Sequence, residues 1–366
     1  MTDRTKALLR LLPVAALFAA LCVFAWCKPA DSYSLAERRP LAQMPALSAD
    51  SLLNGSFMSK FESYVTDQFP LRETFRRLKS RIQFNLLGQK DVNGIYIVEG
   101  SAAKIENPIH EKWVRAILLK LQTLFEDYFA PSGSQAYFAL VPGKDCYLAE
   151  PNGYPGPDYD RLYALLRESA AFAQQIDLRD CLTIGDYYAT DSHWRQERIL
   201  PVARALAQAM GAELGEDFRQ TLAREDFTGV YAGQSALPLA AEPLYYLTSD
   251  MLEQATLYDF ERDETTGLYD PEGLWGRDPY DLFLYGASPV QVLDNPANPS
   301  GRELVLFRDS FGSSLSPLLL EGYSRITLVD LRYIHSSLLS QYVPAAGQDV
   351  LFLYSPAILN SVNLLK

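Results

Sequence analysis

Histidine and cysteine are scarce in this sequence, with 3 and 4 copies among 366 residues. No Cys-x-x-Cys pair occurs, so the usual kind of zinc site is excluded, and we predict neither a metal nor a cofactor. Low-complexity tracts and internal repeats are missing, which excludes solenoid architectures. Acidic residues outnumber basic ones by 45 to 33, which gives a net charge of -12. This charge argues against a nucleic-acid-binding surface and against nonspecific electrostatic binding of the whole chain to anionic lipid.

Apolar residues are concentrated near the N-terminus. Arg4, Lys6 and Arg10 precede an apolar run over residues 11–27, which Lys28 closes. About 17 helical residues span roughly 25 Å, and residues 7–9 extend the run towards the ~30 Å thickness of a bilayer core. Positive charge on the N-terminal flank predicts a single-pass protein of the cell membrane, anchored by residues 7–27, with its C-terminal part extracytoplasmic. A signal peptide cleaved near residues 23–25 is the alternative, and both predict export.

Export affects how the remaining cysteines are interpreted. Cys146 and Cys181 are the two cysteines beyond the anchor. In an oxidising compartment they permit one disulfide, which would close a loop of about 35 residues. Two buried free thiols are an equally good interpretation.

The chain divides by composition into four parts. Residues 1–28 form a cytoplasmic tip and the anchor, and residues 29–55, rich in Pro, Ser and Ala, form a linker. Residues 56–90 form a helical lead-in, because apolar side chains recur at helical spacing between 57 and 87. Pro70 is expected to split this segment into two helices, and Gly88 to end the second. Residues 91–366 form the main domain.

The main domain alternates apolar strands with amphipathic helices. Strands are predicted at 94–98, 136–141, 175–178, 304–307, 325–329 and 350–354, and helices at about 110–130, 158–173, 194–210 and directly after Ser310. Continuous apolar strands between amphipathic helices predict an α/β fold with a mostly parallel sheet covered on both faces.

Two short sequences carry residues suited to chemistry: Thr190-Asp191-Ser192-His193-Trp194, and Arg308-Asp309-Ser310-Phe311-Gly312 at a strand-to-helix turn. Ligand crevices of open α/β sheets lie beyond the carboxyl ends of the strands, where this serine is expected, and the helix N-terminus offers N–H groups to an oxyanion. His193 is the best-placed base among the three histidines, and Asp191 is close enough to orient it. The structural alternative is a helix-capping serine and a histidine packed beside a tryptophan.

These two sequences resemble the motifs of the DHHW family of bacterial cell-surface proteins, with Ser192 at the position of the family's second histidine. Further similarity lies in residues 66–72, 141–144, 278–286 and 329–333. The DHHW family is in turn similar to the SGNH-hydrolase-like acetyltransferase domains of alginate O-acetylation proteins. The resemblance implies an SGNH-hydrolase-like domain in which Ser310 is the nucleophile, His193 the general base and Asp191 its orienting partner.

Four further residues are candidates for substrate binding. Lys144 at a strand end is a candidate ligand for an anionic or hydroxyl-rich substrate, or else a solvated loop residue. Arg332 is expected either to stabilise an oxyanion or hold Asp309, or to form a structural salt bridge. Tyr280 and Gly286 are candidates for lining the pocket, and core packing or a turn explains them equally well.

Together these features predict serine-dependent O-acyl transfer, most simply of acetyl groups, onto a cell-envelope polysaccharide. The resemblance implies a membrane-bound O-acyltransferase as the acyl-donating partner. An acetyl esterase is one alternative. A non-catalytic protein that binds the polysaccharide or assists envelope assembly is another, and this alternative predicts that Asp191, His193 and Ser310 lie apart.

Overall fold

The structure, a computed structural model, describes residues 3–361 and 364–366. Its contacts divide the chain into two compact units, Met1–Asn93 with Ala232–Pro238, and Gly94–Tyr231 with Leu239–Lys366. Residues 1 and 2 of the predicted cytoplasmic tip lie outside the described residues. The four-part division of the chain stays a prediction.

The first unit begins with one long helix, α1 (Asp3–Cys27). Its segment Arg10–Cys27 has a mean hydropathy of 2.0 and is unburied, so α1 is long and apolar enough to cross a membrane. The predicted apolar N-terminal helix is therefore confirmed. Its orientation in the membrane stays a prediction.

Short elements and two helices make up the rest of the first unit: β1 (Tyr33–Ser34), β2 (Arg39–Pro40), α2 (Ala49–Leu53), α3 (Ser56–Asp67) and α4 (Arg72–Arg81), which continues into a π-helical turn over Ile82–Leu86. The two predicted lead-in helices are present, with Pro70 between them. Gly88 follows the second with a φ of 63°, a left-handed conformation that glycine adopts without strain.

An ionic cluster holds these elements together. Arg39 donates two hydrogen bonds to the Asp67 carboxylate, at 2.9 and 2.6 Å, which lowers the pKa of Asp67 to about 2. Arg72 and Arg76 both pair with Glu37, at 2.5 and 3.3 Å. Segments before and after α3 are therefore joined through charged side chains, of which Arg39 stays partly exposed.

The second unit contains the remaining strands and helices. In chain order these are β3 (Ile95–Val98), β4 (Ser101–Lys104), α5 (Glu111–Leu124), β5 (Gln135–Leu140), α6 (Asp145–Leu148), α7 (Tyr159–Ser169), β6 (Gln174–Asp177), α8 (Leu200–Ala209), β7 (Arg219–Phe227), α9 (Val230–Ser235, of which 232–235 belong to the first unit), β8 (Glu242–Thr248), β9 (Thr256–Asp259), β10 (Glu264–Thr266), β11 (Val290–Asp294), β12 (Glu303–Arg308), α10 (Phe311–Leu319), β13 (Arg325–Val329), β14 (Asp349–Tyr354) and α11 (Pro356–Leu359).

Eight strands form the central sheet, in the order β10-β9-β11-β13-β12-β14-β5-β6. The five strands from β13 to β6 are parallel, and β11, β9 and β10 extend the sheet in antiparallel fashion. Alternate residues of each parallel strand point to opposite faces. Leu306 and Leu351 pack with α8 and α10, whereas Phe307 and Phe352 pack with α5 and α7. The predicted α/β fold, with helices on both faces of a mostly parallel sheet, is confirmed.

Several elements differ from the prediction. The strand at 95–98 pairs with β4 in a separate hairpin and not with the central sheet. The helix expected from residue 194 begins at Leu200, because Trp194 pairs with Tyr187 as an isolated antiparallel bridge and holds the preceding segment extended. Cys146 and Cys181 are half-buried free thiols, so the disulfide alternative is not realised.

Candidate active site

Ser310 lies where β12 gives way to α10, at the carboxyl end of a central parallel strand. The preceding Asp309 fixes this turn with both carboxylate oxygens. One accepts the N–H of Phe311 at 3.0 Å, and the other accepts the N–H of Ser355, just beyond β14, at 2.9 Å. The serine is therefore held on two neighbouring strands and not on a mobile loop.

A loop between residues 187 and 195 carries the other two members of the predicted site. Its two sides are joined at the base by the Tyr187–Trp194 bridge and by the N–H of Tyr188, which donates to the carbonyl of His193 at 3.1 Å. The loop therefore presents Asp191 and His193 from a closed, narrow turn.

The three predicted catalytic side chains form one continuous chain of hydrogen bonds. The His193 Nε2 atom lies 2.7 Å from the Ser310 Oγ atom, and Nδ1 lies 2.6 Å from the Asp191 Oδ1 atom. A carboxylate only accepts, so Nδ1 carries the imidazole proton and Nε2 accepts the hydroxyl of Ser310. The structure thus brings together residues that are 117 positions apart in the chain.

Asp191 is held by main-chain groups as well as by the imidazole. Its side chain is completely buried, and its oxygens accept the N–H of His193 at 3.1 Å and the N–H of Val230 at 2.8 Å. A Cβ atom on Gly229 would lie 2.3 Å from the Asp191 Cβ atom. Only glycine at position 229 lets the main chain approach the carboxylate this closely.

Two buried groups of opposite charge hold the loop that carries Asp191. The Glu242 carboxylate accepts the N–H groups of Ala189 and Thr190, at 3.0 and 2.9 Å, and the Thr190 hydroxyl at 2.8 Å. Lys144 donates to the carbonyls of Tyr188, Ala189 and Asp191, at 2.7, 3.1 and 3.2 Å. Burial lowers the pKa of Lys144 to about 7, although the negative charges of Asp191 and Glu242 raise it.

This arrangement changes the interpretation of Lys144. Lys144 is 3% exposed, and its side-chain nitrogen donates to three main-chain carbonyls of the loop. All three donors of Lys144 are thus engaged by the loop that carries Asp191 and His193, and its role as a substrate ligand stays a prediction.

Tyr280 lies at the site, where it packs on the imidazole. Its ring is parallel to that of His193, with centroids 4.0 Å apart and an interplanar angle of 12°. Its hydroxyl donates to the Ser314 Oγ atom at 2.7 Å, and the Trp194 indole donates to the same atom at 2.8 Å. Phe311 packs against the imidazole at 5.2 Å. The imidazole therefore sits among fixed aromatic rings that prevent it from turning away from Ser310.

The other two predicted substrate ligands are engaged elsewhere. Arg332 forms a salt bridge with Asp330 at 2.6 Å, so the structural alternative applies to it. Gly286 has a φ of 85° and donates its N–H to the carbonyl of Phe283 at 3.3 Å, as expected of a turn glycine. A side chain at this position would collide with Asp281 at 2.6 Å.

The turn at Ser310 offers fewer free N–H groups than the sequence predicts. The N–H groups of Phe311, Gly312 and Ser313 all donate to acceptors within the turn. Within residues 3–361 and 364–366, the N–H of Ser310 itself has no acceptor. The main-chain N–H of Ser310 is therefore the free donor of this turn, next to the serine hydroxyl.

Two residues of the site were not predicted. Ser314 follows Ser310 by one helical turn, and this spacing alone places both on one face of α10. Glu242 carries no comparable signal, because it reaches the loop across 52 positions of sequence from a strand outside the central sheet. In the described part of the chain, no cluster of three or more His, Cys, Asp or Glu side chains is suited to a metal ion.

Comparison with known proteins gives similarity in structure but not in sequence. No family model and no curated protein matches the chain. A DHHW family protein from Eubacterium siraeum aligns with a TM-score of 0.59 and 18% identity, over 75% of this chain and 94% of that one. This chain shares its fold. The predicted resemblance to the DHHW family is thereby confirmed at the level of structure.

The structure of Bacillus cereus PatB1 with a sulfonyl adduct is also similar, with a TM-score of 0.54 and 20% identity over 74% of this chain and 98% of that one. The O-acetyltransferase domain of Pseudomonas putida AlgJ aligns at a TM-score of 0.46 and 15% identity, over 73% of this chain and 92% of that one. The similarity covers 94% of the DHHW protein, 98% of PatB1 and about three quarters of this chain, and agrees with the predicted α/β fold.

Proposed function

We propose that this protein is a membrane-anchored, extracytoplasmic enzyme that transfers an acyl group, most simply acetyl, to hydroxyl groups of a cell-envelope polysaccharide. The observation that carries the proposal is the continuous hydrogen-bonded chain Asp191–His193–Ser310. Ser310 is the nucleophile, His193 the general base and Asp191 the group that orients the base.

The geometry supports a two-step reaction. The Ser310 Oγ atom attacks the acyl carbonyl while His193 Nε2 takes the hydroxyl proton, and the oxyanion forms beside the main-chain N–H of Ser310. The tetrahedral intermediate collapses to acyl-Ser310 as His193 returns the proton to the leaving group. A sugar hydroxyl then attacks the acyl carbon, His193 takes its proton, and Ser310 leaves with that proton restored.

The comparisons support the nucleophile. PatB1, which shares this fold, is known with a sulfonyl adduct. Sulfonyl reagents react with nucleophiles that a neighbouring base activates, and the Ser310–His193 contact provides such a base. The choice of acetyl, of a polysaccharide acceptor and of a membrane-bound O-acyltransferase as donor partner rests on the resemblance to the DHHW and alginate O-acetylation proteins.

The test is ester cleavage by the full-length protein in detergent, with p-nitrophenyl acetate as substrate and phenylmethylsulfonyl fluoride as inhibitor. We expect Ser310→Ala to reduce cleavage to the uncatalysed rate and to abolish labelling by the inhibitor. Ser316→Ala, a change at a buried serine of the same helix whose hydroxyl donates to the carbonyl of Gly312, is the matched control and should keep both. Equal cleavage by the wild type and Ser310→Ala would remove the serine from the mechanism.

Two alternatives are separated by further observations. A non-catalytic binding protein was expected to keep the three side chains apart, whereas they are within hydrogen-bonding distance. An acetyl esterase would pass the acyl group to water. Ser310 is only half-buried, so water can reach it. With a soluble oligosaccharide added to the assay, a transferase yields acetylated sugar, and an esterase yields acetate alone.

A further inference from the structure

An ordinary surface helix buries its apolar side. The helix α4 and its π-helical turn do the opposite and expose theirs. The inward side is polar, because Arg72 and Arg76 pair with Glu37 and the buried Ser80 follows one turn later on the same side. The apolar side chains point outward and are 40–76% exposed: Leu71, Phe75, Leu78, Ile82 and Leu86. A continuous apolar stripe of this kind on the outside of a protein marks a contact surface.

Positive charge accompanies the stripe. Residues 72–86 contain five basic residues and one acidic residue, in a chain whose net charge is -12. Arg77, Lys79 and Arg81 are exposed, and none of them forms an ion pair with a described residue. An apolar face with basic side chains beside it is the pattern of helices that lie in the surface of an anionic membrane.

The chain also keeps this helix close to the end of α1. Asp31 follows α1 by four residues, and its N–H donates to the Gln68 side chain at 2.9 Å, which donates back to the Asp31 carbonyl at 2.8 Å. Four extended residues reach at most about 14 Å, so Gln68 lies within about 20 Å of Cys27. Gln68 caps the end of α3, directly before α4. If α1 crosses a bilayer, α4 lies near its surface.

We propose that the outward face of α4 and its π-helical turn lies in the bilayer that α1 crosses, between the headgroups and the acyl chains. The apolar stripe enters the acyl boundary, and Arg77, Lys79 and Arg81 bind anionic phospholipid headgroups. The protein therefore contacts the membrane through two helices, one that spans the bilayer and one that lies in its surface. This inference rests on α1 as a membrane span and not on the acyl-transfer reaction.

Fluorescence quenching by lipid tests the proposal. The full-length protein is prepared with its four native cysteines replaced by alanine and one new cysteine, Leu78→Cys or Asp160→Cys, carrying an NBD fluorophore. It is reconstituted into vesicles of phosphatidylcholine and phosphatidylglycerol that contain doxyl-labelled lipid. Asp160, whose side chain is 94% exposed in the second unit, is the water-exposed control. Resistance to alkaline carbonate extraction establishes first that α1 is inserted.

We expect the fluorescence of the label at position 78 to be quenched by doxyl lipid about twice as strongly, or more, as that of the label at position 160. Phosphatidylcholine vesicles, or the triple change Arg77→Glu, Lys79→Glu and Arg81→Glu, should weaken that quenching. Equal quenching at both positions overturns the proposal, as does extraction by carbonate. A spectral shift at 78 that grows with the protein-to-lipid ratio without doxyl quenching indicates a second copy on this face and also overturns it.

Discussion

Replacing Asp191 with asparagine tests how the imidazole is oriented. The carboxylate accepts on both sides, from the Nδ1–H of His193 and from the N–H of Val230, inside a completely buried site. Asparagine has one accepting oxygen and one donating amide group. If its oxygen faces Val230, the amide donates to Nδ1, and the imidazole must carry its proton on Nε2, facing Ser310. In that tautomer His193 cannot accept the serine proton.

The opposite amide orientation is also unfavourable. With its oxygen towards His193, the asparagine would point its amide hydrogens at the N–H of Val230 and leave two buried donors facing each other, which costs about 1–3 kcal/mol. The first orientation likewise turns the amide towards the main-chain N–H of His193, so each orientation loses one main-chain hydrogen bond. One gives the inactive tautomer and the other breaks the contact with Val230, and we expect both to lower the activity. The corresponding exchange in serine hydrolases reduces kcat by about 10⁴-fold, which amounts to about 5 kcal/mol of transition-state stabilisation. We expect a loss of about 10³- to 10⁴-fold here.

The assay is p-nitrophenyl acetate cleavage, together with the rate of inactivation by phenylmethylsulfonyl fluoride, which requires the same base but none of the sugar-binding contacts. Both rates should fall by a similar factor. Asp186→Asn, an identical change at a half-buried carboxylate that accepts from Thr183, is the control and should leave both rates unchanged. A loss of less than tenfold in Asp191→Asn, with Ser310→Ala inactive, would show that Asp191 does not orient the base.

Three further changes test the support around the site. Gly229→Ala forces a Cβ to within 2.3 Å of the Asp191 side chain, so we expect ester cleavage to fall at least about tenfold and the unfolding free energy by about 1–3 kcal/mol in urea titrations. Gly267→Ala, which meets no atom within 4 Å, should change neither, and equal behaviour of the two variants would contradict the steric argument. Lys144→Met leaves three buried carbonyls without their donor and the buried Asp191 carboxylate without a nearby positive charge, so we expect a loss of about 3–5 kcal/mol of unfolding free energy. Wild-type stability with a raised KM would instead restore its predicted role as a substrate ligand. Burial raises the pKa of Asp145 to about 6 from an ordinary 3.8, so the folded protein holds a proton that the unfolded chain releases, and stability falls as pH rises from about 4 to 6. Urea titrations at pH 4 and pH 7 should show the wild type losing about 2 kcal/mol more than Asp145→Asn, and parallel losses would contradict burial as the cause.

The parallel strands of the sheet can be predicted from the sequence because both faces of the sheet are buried there. Strands such as β13 and β14 appear as unbroken apolar runs, and their predicted limits agree with the structure to within one residue. The antiparallel extension is not readable in this way. Strand β10 consists of Glu264, Thr265 and Thr266, which are largely exposed, and it is defined by pairing with β9 and not by its own composition.

The predicted triad follows from the scarcity of histidine and from the position of Ser310 at a strand end. Those two facts constrain which residues meet, but not where neighbouring side chains point. Lys144 also lies beyond a strand end, as predicted, yet its side chain turns beneath the loop to reach three carbonyls. Tyr280 is near the site, as predicted, but packs on the base. Side-chain direction depends on tertiary contacts, which the linear pattern does not contain.

The loop that carries Asp191 explains why those distant contacts are needed. Buried main-chain groups must form hydrogen bonds, and this loop leaves helix and strand pairing just where it enters the interior. Its N–H groups are satisfied by the Glu242 carboxylate and its carbonyls by the Lys144 ammonium group. Removing two charges from water costs several kcal/mol for each, and only a fixed geometry with every donor and acceptor matched offsets that cost. The same matched contacts of Lys144 and Glu242 keep Asp191 and His193 in one conformation, as the proposed proton transfer from Ser310 requires.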